Sequence, residues 1–307
     1  MLDPMALLRA MPGACAQGII WGLMALGVYL TFKILDVADL TVDGSIATGG
    51  AVAVMLILAG WSPAAAMAAA FAVGMLTGAV TGVLHVALGI PAILASILTQ
   101  ISLYSINLNI MGKSNQAVSV DKFPLLVSLR YIPKAIAVCL VIAVALVGVL
   151  YWFFGTELGC SIRATGCNKN MARAQGVNTG VITVLTLALS NGIVALSGSL
   201  LAQYQGFADV NMGRGAIVIG LAAVIIGEVI GGAVLGKYLN FMGRLAFVVV
   251  GGVIYYMVLQ IVYWLKLPTD DSKLFTAIIV ALFLAVPYLK GKYFTKSSYK
   301  KEASRHA

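Results

Sequence analysis

Charged residues are scarce in this 307-residue sequence, and so are histidine and cysteine. Only 10% of the positions are Asp, Glu, Lys or Arg, and there are two histidines and four cysteines. The cysteines form no CxxC pair and have no histidine partner at metal-ligand spacing, so we interpret them as reduced packing residues. No nucleophile–base set is recognisable either. These absences argue against a metal centre and against an enzyme.

Long apolar runs dominate what is present. Hydrophobic residues make up 61% of the chain, and its mean hydropathy is +1.00. About 20 apolar residues in a row are enough to cross a bilayer. The sequence therefore predicts an all-α polytopic membrane protein, with residues 1–307 forming a single transmembrane domain. The nine predicted spans are Ala14–Leu35, Ser45–Ala59, Ala64–Leu88, Pro91–Met111, Ala135–Phe154, Val181–Gln203, Gly215–Leu235, Met242–Leu265 and Ser272–Leu289.

Positive charge is concentrated at the C-terminus, although the net charge of +9 is spread over the whole chain. Six of the 20 basic residues lie in residues 290–307. By the positive-inside rule this segment is a cytoplasmic tail, and the charge does not indicate a nucleic-acid partner. Four predicted spans separate the tail from residues 155–180, which are therefore also predicted to be cytoplasmic. The N-terminus is then outside.

Residues 155–180 form a short polar segment between two apolar spans, called here the polar island. Asn168 is a suitable N-cap, because its side chain accepts a hydrogen bond from the first turn of a helix. Residues 169–175 favour a helix, and Gly176 is able to adopt the left-handed conformation that ends one. A capped two-turn helix between membrane spans suits docking onto another protein.

Two acidic, glycine-rich breaks interrupt the apolar pattern. The segment of residues 17–44, with Asp39 and Asp43, is similar to that of residues 191–213, with Asp209. The two copies start five spans apart, so they would cross the membrane in opposite directions. Inverted repeats with broken helices are typical of transporters. Chance similarity among abundant Gly and Ala residues is the alternative.

Polar residues that share one face of the fourth span predict a solute pathway. Gln100, Tyr104 and Asn107 lie three, four or seven residues apart, so they lie on the same side of a helix. Hydrogen bonding between helices is the alternative explanation. We assign the acids of the two breaks, Asp39, Asp43 and Asp209, to the same pathway. For Asp43 the alternative is a turn in which Asp43 or Ser45 caps the next helix.

Three further motifs have competing explanations. Glu228 lies deep in a predicted span, where it would serve as a proton relay or would extend toward the inner surface. Residues 231–237 fit GxxxxGK, but Tyr238 replaces the Ser or Thr that a phosphate loop needs. The chain therefore has no ATP site and no cofactor of its own. The ridge of Gly74, Gly78 and Gly82 predicts close packing between helices.

The polar island resembles the coupling loop of ABC-importer permeases of the branched-chain amino acid and ribose type. The segments Asp39–Ser45 and Leu103–Lys113 are similar to those of the tryptophan/tyrosine permease branch of that family. Lys169 departs from the family, which often has an acidic residue there. The matching positions of the polar island are Arg163, Ala164, Gly166, Asn168, Ala172, Arg173, Gly176, Val177 and Asn178.

The resemblance implies a permease subunit of an ATP-driven ABC importer in the bacterial inner membrane. Its solute would be small, and the branch suggests an amino acid similar to tryptophan or tyrosine. Two permease chains, expected to be identical, would pair around one pathway in the lipid, and an extracytoplasmic solute-binding protein would deliver the solute. A cytosolic ATPase dimer would supply the ATP site. A proton- or sodium-coupled secondary transporter is the alternative. The expected ATPase-coupling residues are Arg163, Asn168, Lys169, Met171, Ala172, Arg173 and Gly176.

Overall fold

The computed structural model describes residues 4–264 and the isolated positions 274, 277, 278, 281 and 285. In this part of the chain, eight helices are long and apolar enough to cross a membrane. The expected all-helical membrane fold is thereby confirmed. The α-helices of this part are α1 (Pro4–Tyr29), α2 (Thr41–Leu58), α3 (Pro63–Val86), α4 (Ala92–Met111), α5 (Ile132–Phe154), α6 (Glu157–Cys167), α7 (Lys169–Ala174), α8 (Thr179–Gln205), α9 (Ala216–Leu235) and α10 (Phe241–Trp264).

Eight of the nine predicted spans correspond to these helices. The ninth, Ser272–Leu289, lies outside the described residues except for the isolated positions, and the tail 290–307 lies outside them entirely. The predicted start of the first span at Ala14 is wrong, because α1 begins ten residues earlier. The Ala, Leu and Met residues that precede Ala14 are strong helix formers, and Arg9 is exposed there. A π-helix, Leu30–Ile34, follows α1 directly.

Helices α1 and α8 run antiparallel through the centre of the bundle. Ser190 Oγ donates to the carbonyl oxygen of Gly27 at 2.8 Å, and Ser197 Oγ donates to that of Ile20 at 2.7 Å. Residue numbers thus rise along α1 as they fall along α8. Both serine hydroxyls are buried, and each has a hydrogen-bond acceptor on α1, so neither buried donor is left unsatisfied.

The two breaks return the chain to about the mid-depth of the bundle. The first break, residues 35–40, leads into α2, where Ser45 bonds Asn191 at the midpoint of α8. The second break, residues 206–215, leads into α9, and there Gly213 packs on the backbone of Asp43. Helices α2 and α9 therefore both begin near mid-depth. The broken helices are as expected, and the inverted repeat stays a prediction.

The glycine ridge of α3 packs against α8, as predicted. A Cβ atom added to Gly74 would lie 2.5 Å from the carbonyl oxygen of Asn191, and one on Gly82 would lie 2.8 Å from Cα of Val184. Gly78 likewise meets the backbone of α8. Only hydrogen in place of a side chain allows two helix backbones to approach this closely.

A buried hydrogen-bond network joins α2, α3, α8 and the first break. Asn191 Nδ2 donates to Asp39 Oδ2 at 2.6 Å, and Asn191 Oδ1 accepts from Ser45 Oγ at 2.6 Å. Ser45 continues to the Thr77 hydroxyl at 2.9 Å, and the Thr41 N–H donates to Asp39 Oδ1 at 2.9 Å. Because the interior has a low dielectric constant, these bonds are strong, and losing one partner is costly.

A two-stranded sheet links the segment after α4 to the second break. Strand β1 (Asn115–Ala117) pairs antiparallel with β2 (Phe207–Asp209), with Asn115 opposite Asp209. Asn115 Nδ2 also donates to Asp209 Oδ2 at 3.3 Å. The sheet therefore holds the end of α4 next to the segment that precedes α9.

Candidate functional site

The polar island contains two helices, α6 and α7, where the sequence predicted one. The missed helix, α6, has its N-terminus capped by Thr156, whose Oγ1 accepts from the Gly159 N–H at 3.4 Å. Gly159, Ile162 and Thr165 form its buried face. The sequence did not predict α6 because its residues are only weakly apolar. The helix is stabilised by packing this buried face against the bundle.

Helix α7 is the predicted one: it begins at Lys169 as predicted and ends at Ala174, one residue before the predicted end. Asn168 Oδ1 accepts from the Met171 N–H at 3.0 Å, and Gly176 has a φ of +84°. Ala172 is buried, so it anchors the helix to the rest of the chain. The exposed side chains include Lys169 and Met171, the latter 65% exposed. One face of α7 is thus fixed while the other lies open to solvent.

Two arginines brace the polar island against the bundle. Arg163, on α6, donates from Nη2 to the carbonyl oxygen of Phe154 at 2.9 Å, and its guanidinium lies 5.9 Å from the centre of the Phe241 ring. Arg173, on α7, donates to the Thr179 hydroxyl at the start of α8 at 3.2 Å. Both arginines are exposed and remain accessible to a partner as well.

Helix α6 also rests directly on the π-helix that ends α1. A Cβ atom on Gly166 would overlap the carbonyl of Ile34. Next to this contact, Lys33 Nζ lies 3.0 Å from Glu228 Oε2 of α9. Glu228 is therefore ion-paired, a partner that neither sequence explanation included. The polar island is thus in backbone contact with the segment that leads into the first break.

A cavity of about 320 Å³ lies where α2, α4 and the second break meet. Four of the six predicted pathway residues, Asp43, Gln100, Tyr104 and Asn107, line this single cavity. Their role in transport stays a prediction. The complete lining is Asp43, Gly44, Ala47, Gln100, Ile101, Tyr104, Asn107, Val210 and Arg214.

Asp43 caps a helix other than the one it belongs to. Its Oδ2 accepts from the Gly215 N–H at 3.0 Å, and its Oδ1 accepts from the Ile217 N–H at 2.9 Å. The alternative in which Asp43 or Ser45 caps α2 is wrong, because α2 begins already at Thr41. A negative charge at the start of α9 is favourable, since the free N–H groups there carry partial positive charge.

The other two predicted pathway acids do not line the cavity. Asp39 is 2% exposed and is held by Asn191, and Asp209 lies on β2. Sequence reasoning missed Arg214, which lines the cavity. An arginine in a glycine-rich break between two apolar spans was the signal that could have identified it.

Comparison with known proteins assigns the family. The chain matches the family model described as branched-chain amino acid transport system, permease component, over residues 11–287. It is 39% identical over 269 residues to the tyrosine transport system permease protein of Clostridioides difficile (strain R20291), covering 88% of each chain. It is 30% identical over 274 residues to the uncharacterized protein RP368 of Rickettsia prowazekii (strain Madrid E), covering 89% of this chain and 95% of that one.

A third relative matches over a shorter stretch. The galactofuranose transporter permease protein YtfT of Escherichia coli (strain K12) is 35% identical over 105 residues, covering 33% of this chain and 30% of that one. No solved structure matches the chain. Together with the eight candidate membrane helices, the family match shows that this chain belongs to the permease components of branched-chain amino acid transport systems, and that it is a multi-pass membrane subunit of an ABC-type transport system rather than an enzyme.

Proposed function

We propose that two copies of this chain form the pathway of an importer for a tyrosine-like amino acid, and that cytosolic ATPases drive it by binding α7. The observation that carries the proposal is the exposed face of α7, on a helix capped at both ends. An extracytoplasmic solute-binding protein would deliver the amino acid at the opposite side of the membrane. The tyrosine assignment rests on the relative from Clostridioides difficile.

A physical route connects α7 to the cavity. ATP binding would draw the ATPases together and pull on α7, which follows α6 after a single residue, Asn168. Gly166 of α6 touches the backbone at Ile34, so α6 would carry the π-helix and the first break with it. The first break leads directly into α2, on which Asp43 lines the cavity. Such a displacement would change access to the cavity without any catalytic residue on this chain.

The dimensions and lining of the cavity suit an aromatic amino acid. Its volume of about 320 Å³ falls at the lower end of the range of about 300–1,000 Å³ that is usual for ligand pockets. Tyr104 provides a ring for stacking, and Gln100 provides a side-chain amide. Five of the nine lining residues carry a polar or charged side-chain group, and polar groups that converge on one pocket fix the orientation of a small solute.

The open side of the cavity supports a paired arrangement. Ile101 and Tyr104 line the cavity, yet they remain 64% and 41% exposed on the single chain. A second copy placed against this face of α4 would close the cavity and bury both side chains. Two cavities would then meet in one central pathway.

Changing the exposed face of α7 is expected to release the ATPase. In the double variant Lys169→Glu/Met171→Glu, we expect the amount of ATPase that co-purifies with the tagged chain to fall at least about tenfold, because an interface anchor is replaced by a charge. Both substitutions keep α7 intact, since acidic residues are favourable in the first turn of a helix. Gentle detergent extraction followed by quantitative mass spectrometry measures the result.

The matched control lies on the opposite side of the membrane. Leu129→Glu/Lys134→Glu replaces an exposed apolar residue and an exposed lysine in the same way, at residues that α7 does not touch. Here the ATPase should be retained in full. Normal ATPase recovery with the α7 variant would contradict docking on α7.

Neutralising Glu228 separates the importer from a proton-driven carrier. Because the ion pair with Lys33 is partly exposed, with the two side chains 45% and 25% accessible, it contributes at most about 1 kcal/mol. We expect Glu228→Gln to keep ATP-driven tyrosine uptake into proteoliposomes within about threefold of wild type. Uptake that needs a proton gradient instead of ATP, and that Glu228→Gln abolishes, would favour the secondary transporter.

A further inference from the structure

The cavity between α2, α4 and the second break carries two opposite charges. Asp43 lines it from α2, and Arg214 lines it from the segment that precedes α9. The Asp43 oxygens accept backbone N–H groups, and each carboxylate oxygen has a second lone pair left for another donor. The cavity thus presents an anion and a cation to the same volume.

Arg214 lies near the mid-depth of the helix bundle, and an arginine at such a depth in a membrane protein is expensive. It follows Gly213, which packs on Asp43, and Ser45 two residues further along α2 bonds the midpoint of α8. In the described part of the chain, the ion pairs are Lys33–Glu228 and Arg130–Asp121, so no carboxylate there pairs with Arg214. A charged side chain at this depth is usually functional and faces a cavity.

A second, independent observation also indicates a ligand. Asn107 is 1% exposed and lines the cavity, yet among the described residues neither its Oδ1 nor its Nδ2 has a hydrogen-bond partner. A buried amide without hydrogen-bond partners is unfavourable and therefore rare in native proteins, and a bound polar molecule is one explanation for it. Both polar atoms are buried, so the Asn107 amide would have to turn toward the cavity to present its one acceptor and two donors to a polar ligand.

We propose that Arg214 recognises the α-carboxylate of the transported amino acid, with the Asn107 amide as a second polar contact and Asp43 facing the α-ammonium group. This assignment rests on the proposed function and adds to it the residue that selects for a carboxylate. A guanidinium holds a carboxylate through two parallel hydrogen bonds, which gives direction as well as attraction. The aromatic part of the solute then lies along Tyr104 and Ile101. The cavity is complementary to a zwitterion.

The experiment pairs a change in the protein with a change in the ligand. Binding of radiolabelled tyrosine to the purified chain in nanodiscs is measured directly, and tyramine, which lacks the carboxylate, is measured by competition. For Arg214→Gln we expect tyrosine affinity to fall about tenfold or more, while tyramine affinity changes less than about twofold. Arg214→Lys should restore part of the tyrosine affinity, because it keeps the charge but not the paired geometry.

The controls distinguish a failure of the carboxylate assignment from a failure of the proposed function. Arg130→Gln removes an exposed arginine that pairs with Asp121, so both affinities should stay at the wild-type level. Equal losses for tyrosine and tyramine in Arg214→Gln, or no loss for either, would overturn the carboxylate assignment while wild-type binding upholds the proposed function. A wild-type chain that binds no tyrosine would overturn the proposed substrate and this assignment with it.

Discussion

Replacing Asn191 with leucine is expected to lower the ratio of folded to unfolded chain by more than about 100-fold. The substitution removes the donor to Asp39 and the acceptor of Ser45 at once. Asp39, which is only 2% exposed, would keep its carboxyl group buried. Of the described network partners of this group, the Thr41 N–H would remain. Leaving a buried polar group without its partner costs about 1–3 kcal/mol, and this substitution does so to both Asp39 and Ser45.

The measurement is the yield of monodisperse protein in mild detergent, together with its thermal unfolding temperature. Thr186→Val is the matched control, because Thr186 is also buried on α8 but, among the residues that the structure describes, its hydroxyl bonds only the Ile182 carbonyl of its own helix. Adding Asp39→Leu to Asn191→Leu should recover part of the yield, since removing both partners costs less than removing one. A normal yield for Asn191→Leu alone would show that the network contributes little.

Replacing Asp43 with alanine is expected to reduce ATP-driven tyrosine uptake at least about tenfold. The substitution leaves the N–H groups of Gly215 and Ile217 without their acceptor, at the start of a helix near mid-depth. Two hydrogen bonds to a charged group are worth about 3 kcal/mol or more together. Without them the second break is no longer fixed to α2, and the cavity wall that includes Arg214 loses its position.

Asp43→Asn tests the geometry of this contact. An amide has a single acceptor oxygen, so it can cap one of the two N–H groups while its NH₂ faces the other, and we expect uptake close to that of the alanine variant. Asp121→Ala is the control, because Asp121 is 77% exposed and pairs only at the surface. Full uptake by Asp43→Ala in proteoliposomes, at equal protein content, would contradict the capping role.

The parts of the fold that depend on local patterns could be predicted from the sequence. The ends of most spans and the cap of α7 follow from apolar runs, from Asn168 and from Gly176. These features are set by residues within a turn or two of each other. The grouping of Gln100, Tyr104 and Asn107 on one face follows from helical spacing in the same way.

The parts that depend on distant contacts could not be predicted. Asp43 and Gly215 are 172 residues apart, and Lys33 and Glu228 are 195 apart. A local sequence pattern does not show which distant polar group a residue such as Asp43 or Glu228 will bind. For that reason the local pattern suggests Asp43 as a cap of its own helix, gives Glu228 no partner, and does not single out Arg214.

The contact between Gly166 and Ile34 has a consequence for how such transporters diversify. Helix α6 meets the π-helix through the backbone of Ile34, so the fit does not depend on which side chain that position carries. Asp43, the first cavity residue after Ile34 in the chain, is more than a helical turn beyond it. Substitutions in the cavity are therefore expected to leave the contact between Gly166 and Ile34 unchanged. Under the proposed docking of ATPases on α7, solute preference could therefore change while the helices that meet the ATPase stay the same.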